Sequence, residues 1–285
     1  MTKAIIGDNI TSIDDMAFAY CSNLKGINAD QKIVLPSELE IINNATFYNC
    51  EKFSGKIVIP RNVTTIKDQA FEGCRGIHSV EISTKLDSIS HSAFDRTYNF
   101  TRFWGPSSEN YTIHLGILYS KNIGILYHCP KGYKGTCVVH RETKIINNEA
   151  FNNCSNIQHI ILNGIEEIKD FAFNGCTKLK KVTLGENFRN FNYQIFQGCQ
   201  SLIRIDIKKD NRHYKSINGI LYTADMKTLI YCPQGKNGIV KIPKSVKHIA
   251  DYAFYNCNQI EKVIIHKNIK TIGKEAFTGC NIQRL

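Results

Sequence analysis

The stretch Cys257-Asn258-Gln259-Ile260-Glu261-Lys262-Val263-Ile264-Ile265-His266-Lys267-Asn268-Ile269-Lys270-Thr271-Ile272-Gly273-Lys274-Glu275-Ala276-Phe277-Thr278-Gly279-Cys280 decides the fold. Its apolar residues Ile260, Val263, Ile265, Ile269, Ile272 and Phe277 fall on a grid that returns along the chain. From Cys74 the grid reads Ile77, Val80, Ile82, Leu86, Ile89 and Phe94; from Cys176 it reads Leu179, Val182, Leu184, Phe188, Phe191 and Phe196. Phe-x-x-Cys marks the end of each copy, at Phe18/Cys21, Phe47/Cys50, Phe71/Cys74, Phe151/Cys154, Phe173/Cys176, Phe196/Cys199, Phe254/Cys257 and Phe277/Cys280, with a ninth at Phe94 where Thr97 replaces Cys. The unit is 23 residues long, with copies of 22 to 24 and one of 29 between Phe18 and Phe47. A period in this range is the signature of a stacked repeat.

Each part of the unit has a physical reading. Val80-Glu81-Ile82, Val182-Thr183-Leu184 and Val263-Ile264-Ile265 are β-rich and alternate in and out, as short strands do. Pro36, Pro60 and Pro243 close such strands where a missing N–H does least harm. A second extended piece follows, as in Val63-Thr64-Thr65-Ile66. Ala-Phe-x-x-Cys then reads as a turn of helix, opened by Asp68, Asn148, Asp170 or Asp251 as caps. One unit cannot bury its own apolar side, so stacking must place Phe on Phe and Cys on Cys.

Two gaps, Phe94 to Phe151 and Phe196 to Phe254, match each other, their common strings standing 103 residues apart. Gly116-Ile117-Leu118-Tyr119 returns as Gly219-Ile220-Leu221-Tyr222, and Cys129-Pro130 as Cys232-Pro233. Each reads as two β-runs around a polar turn, Ser120 to Gly124 and Thr223 to Lys227, hence a hairpin. The expected fold is a right-handed β/α solenoid in a single domain, residues 1–285, with hairpin insertions at 105–138 and 209–241.

The string Cys-x-x-Leu-x-x-Ile-x-Ile-Pro-x-x-Val-x-x-Ile-x-x-x-Ala-Phe resembles the BspA-like, treponemal-type leucine-rich repeat, and the Gly-Ile-Leu-Tyr insert resembles that family's usual insertion. The resemblance covers nearly the whole chain. It implies a binding module of the adhesion or host-protein-binding type, at the cell surface or secreted, with some members acting inside cells. It supplies no catalytic residues. The chain departs from the pattern at Thr97, and at Ser83, Asn163, Gly185 and His266, where the family places Pro.

The net charge is +11, which favours anionic partners and also keeps a protein soluble. No run of 18 apolar residues occurs, and Met1-Thr2-Lys3-Ala4-Ile5-Ile6-Gly7-Asp8 lacks the apolar stretch of a secretory signal. The eleven cysteines do not suggest chemistry. Eight share one repeat position and no Cys-x-x-Cys occurs, so they read as structural free thiols. His128, Cys129, Cys137 and His140 resemble a metal set, but the second insert has Tyr231, Cys232, Val240 and Pro243 there, which argues for core packing instead. No cofactor is expected. No convergent acid, base or nucleophile set is visible, so no enzyme is expected.

The outward positions of the strands form ladders. Arg102, His159, Lys181, Arg204 and Lys262 form a basic column, and Trp104 stands beside it at the start of the first insert. These six are the candidate partner-binding residues, for an acidic protein or glycan. Nucleic-acid or anionic-membrane binding through the same basic face is the alternative. Both chain ends fall inside the grid without polar caps, which leaves end-to-end association, a longer array or a fraying last coil open.

Overall fold

The computed structural model describes residues 4–27 and 34–281, in two compact units. The first holds residues 1–133 and 147–154; the second holds 134–146 and 155–285. Both are solenoids built from the grid. In the first unit, β1 (Ser54–Val58), β2 (Gly76–Glu81) and β3 (Arg102–Trp104) form a parallel sheet, with Ile57, Val80 and Phe103 in register and turned into the core. A second parallel ladder of two-residue strands joins Ser12–Ile13, Ile41–Ile42, Thr65–Ile66 and Ser88–Ile89. The six residues separating the 29-residue copy from the rest fall largely at 28–33, outside the described residues.

The insert of the first unit is a three-stranded meander, β4 (Tyr111–His114), β5 (Ile117–Ser120) and β6 (Ile125–His128). In the second unit, β7 (Gly135–Val138), β8 (Ile157–Leu162), β9 (Lys181–Leu184) and β10 (Arg204–Ile207) form a parallel sheet. Its insert is β11 (Tyr214–Ile217), β12 (Ile220–Thr223) and β13 (Thr228–Tyr231), after which β14 (Gly238–Lys241) and β15 (Ile260–Ile264) pair in parallel. Each insert therefore has one strand more than the two β-runs read from sequence. The added strand turns back at Leu115-Gly116 and Asn218-Gly219, whose φ values of 50° and 79°, and 53° and 82°, are those of a type I′ turn.

The Phe-x-x-Cys segments fold as successive turns, not as helix. Among the described residues the one helix is a 3-10 turn, Tyr193–Phe196. The reason is where the amides go. The N–H groups of Met16, Phe18 and Tyr20 donate to Asn44, Thr46 and Tyr48 in the next coil, and those of Tyr252, Phe254 and Asn256 donate to Lys274, Ala276 and Thr278. Alternate amides committed sideways cannot close helical i→i−4 bonds. The backbone accordingly takes left-handed φ on both sides of the ring, as at Gln69 and Gly73 around Phe71 and at Glu149 and Asn153 around Phe151. For a residue other than Gly that conformation costs about 1–2 kcal/mol, which the inter-coil bonds and ring burial offset.

The rings stack as the register requires. Phe18, Phe47, Phe71 and Phe94 follow one another at 5.4, 5.4 and 5.2 Å, nearly parallel. Phe173–Phe196 and Phe254–Phe277 repeat this at 5.4 and 4.9 Å. These spacings are close to the distance between hydrogen-bonded strands. The thiols have a specific task. Cys50, Cys74, Cys199 and Cys280 each donate Sγ–H to the Phe carbonyl of the preceding coil, at 2.9–3.1 Å. Thr97, the exception, donates to the carbonyl of Phe94 in its own coil.

Candidate functional site

The sheet of the second unit presents two outward columns. Thr136, His159, Lys181 and Arg204 are in register across β7 to β10, and beside them run Val138, Ile161, Thr183 and Asp206. The residues between, Cys137, Ile160, Val182 and Ile205, are buried. Cys137 is thus a core residue at the place Val240 takes on β14, as the aligned inserts imply. Among the described residues, no group of three or more His, Cys, Asp or Glu side chains is arranged to hold a metal ion. Burial pushes the Cys50 thiol up to about 12 and Cys280 to about 11, so these are poor nucleophiles.

The basic column is less basic than its sequence. Asp206 accepts from Arg204 Nε at 2.6 Å and pairs with Lys181 Nζ at 3.1 Å. Burial raises its carboxyl, but the hydrogen bonds and charges of Arg204 and Lys181 outweigh that and hold it below the usual range. Burial and the charge of Lys181 lower His159 against the pull of Asp206. Its Nε2 lies 3.0 Å from Thr183 Oγ1. His159, Lys181 and Arg204 are therefore side by side in one column, with Lys181 and Arg204 linked through Asp206. Lys262 is exposed on β15, in the separate two-stranded sheet of the same unit.

Arg102 and Trp104 lie in the first unit. Arg102 is exposed on β3 beside Ser79. Trp104 is half-buried, with the ammonium of Lys56 3.6 Å above its ring, and Lys56 in turn pairs with Glu81 at 2.9 Å. The ring is thereby occupied by its own neighbours.

Sequence reasoning missed a cleft of about 460 Å³ beside the second insert. It is lined by Ile203 and Arg204, the insert tip at Ile217, Lys236 ahead of β14, and Ile239 and Lys241 on β14. Ile203, Ile217 and Ile239 are 45, 39 and 57% exposed, unusual for three neighbouring aliphatics. No acidic residue lines it. The signal was Asn218-Gly219. That pair marks a type I′ turn whose glycine packs on Arg204, where an added Cβ would come within 2.8 Å of Arg204 Cα.

A family model for the BspA type leucine rich repeat region matches in six copies, over residues 28–129, 136–233 and 231–285. The chain belongs to the BspA-type leucine-rich repeat family. Repeats of this type are generally protein-interaction and adhesion modules. The BspA-type chain is similar in fold to a leucine-rich repeat protein from Eubacterium ventriosum, at 17% identity and TM-score 0.57 over 87% of this chain and 82% of that one. It is similar to a leucine rich cell surface protein from Faecalibacterium prausnitzii, at 20% identity and TM-score 0.53 over 100% and 78%. It is also similar to the pneumococcal vaccine antigen PcpA, at 17% identity and TM-score 0.56 over 96% and 68%. No curated protein matches it. Among the described residues no helix is long and apolar enough to cross a membrane.

Proposed function

We propose that the outward strand face of the second unit, from the His159–Lys181–Arg204 column to the cleft beside the insert, is the docking surface for an acidic protein partner. One observation carries this reading: exposed isoleucines share a cleft with Arg204, Lys236 and Lys241, and no carboxylate is among the residues that line it. Apolar anchors ringed by charge suit a polypeptide better than a glycan. Lys262 extends the cationic surface on β15. Arg102 and Trp104 play the secondary part, because Lys56 already covers the Trp104 ring. The Phe rings that could have stacked on bases are committed to the buried column, which disfavours nucleic acid.

The test uses arrays of purified acidic and basic proteins and acidic glycans, probed with the intact chain and with a Lys181→Glu/Arg204→Glu/Lys262→Glu variant. Acidic proteins should bind the wild type and be lost at least tenfold in the variant, assayed below its melting temperature with a circular-dichroism spectrum matching the wild type. Equal binding by both chains contradicts the reading.

A further inference from the structure

The lateral ladder of the second unit is cut at one place. On its far side from β9, β10 meets only the insert tip, where the Ile205 amide donates to the Gly219 carbonyl at 3.1 Å. The chain returns close by, with the Gly235 amide donating to Leu202 at 2.8 Å, but β14 then pairs with β15 alone among the described strands. The Ile242 amide donates to Ile264 at 3.4 Å, so this phase of the backbone faces β15. Successive residues of a strand point their N–H and C=O groups to opposite sides. Ile239 and Lys241 therefore turn theirs into the cleft.

An unpaired strand edge is a template for another chain, and strand addition is a recurring way to bind peptides. The side chains around this edge state what they would take. Ile203, Ile217 and Ile239 offer apolar contacts; Lys241 and Lys236, the latter donating to the Asn218 carbonyl, offer positive charge, with Arg204 beside them already paired to Asp206; no carboxylate is among the lining residues to oppose an acidic segment. A second copy of the chain fits poorly, since it would bring the same cations against themselves. β14 is four residues long, about 13 Å of edge at strand rise.

We propose that the cleft receives an extended segment of the partner, of alternating acidic and apolar residues, which adds as a strand to the free edge of β14. This rests on the outward face being the docking surface and says how the partner sits there.

The experiment selects random twelve-residue peptides displayed on phage against the intact chain. Enriched sequences should alternate acidic and apolar residues. Lys241→Pro removes a cleft-facing N–H without touching the β14–β15 bonds and should weaken the selected peptides at least tenfold, while Lys241→Gln weakens them less than threefold. N-methylating the peptide backbone at alternate residues should abolish binding in one phase and spare it in the other, a readout that holds even where Lys241→Pro fails to fold. Absence of enrichment, or binding indifferent to methylation in both phases, overturns the proposal. Loss of peptide binding with array binding retained removes strand addition alone; loss of both removes the docking surface as well.

Discussion

Two inserts 103 residues apart fold into the same three-stranded meander and close onto their cores with different chemistry. In the first, Lys131 is fully buried, 3.0 Å from Asp95 and donating to the Asn152 carbonyl at 2.7 Å. The corresponding positions of the second are Gln234 and Gln197. His128 lies buried against Phe94 and Phe103 with neither ring nitrogen hydrogen-bonded among the described residues. Its counterpart Tyr231 packs on Phe191 and Phe196. Positions 131 and 234 are thus both buried, as are 128 and 231, while the polarity of the side chain there differs between the inserts.

That comparison can be broken most strongly at Lys131. Replacing it with Ala leaves Asp95 in a poorly solvated site, and a loss of about 3 kcal/mol is expected in urea unfolding. The Asp95→Gln/Lys131→Gln double variant, which puts at both positions the residues of the second insert and leaves no buried charge unpaired, should recover wild-type stability or exceed it. A double variant as unstable as Lys131→Ala would show that the two sites are not interchangeable.

The next effect concerns pH. Burial, then the charges of Lys131 and His91, hold His128 well below its ordinary value. The folded ring stays neutral while the unfolded ring takes up a proton below the ordinary value of 6.5. The unfolded state then binds more protons, so this contribution is complete above pH 6.5 and is lost as pH falls from there toward the folded pKa. Between pH 7.5 and 5 wild type should lose up to about 2 kcal/mol more than His128→Tyr, the limit set by one proton. Equal slopes in chemical denaturation would contradict the assignment. The smallest effect is at the turn. Leu115 adopts φ 50° and is 66% exposed, where the second insert has Asn218. Leu115→Asn should stabilise by about 1 kcal/mol, because Asn tolerates this conformation and little packing is lost; a lower melting temperature would refute this.

The residues that recur were legible in the sequence. Phe71, Cys74, Val80 and Ile82 share one period because stacking forces each onto its equivalent, and the family resemblance rested on those positions. What failed to show was decided between coils. Ala-Phe-x-x-Cys with a preceding Asp reads locally as a helix start, yet Gln69 is left-handed because the adjacent coil claims the neighbouring amides of Phe71 and Gly73. The extra insert strand carried a readable signal at Asn218-Gly219 and a disguised one at Leu115-Gly116. Arg204 and Lys181 were correctly placed on one face, but their acid, Asp206, belongs to the next outward column and so did not enter the count of charges. The cleft follows from an insert tip and a strand edge 20 residues apart (Gly219 and Ile239), a juxtaposition no local pattern encodes.

The inward register of ring and thiol is tested most directly by timed alkylation of the native chain, read by mass spectrometry. Nine of the eleven cysteines are buried, and Cys21 and Cys280 are half-buried at the first and last Phe-x-x-Cys turns. Native protein should label at those two alone on the timescale in which the denatured chain labels at all eleven. Rapid native labelling of Cys74, Cys176 or Cys199 would mean that the column faces water.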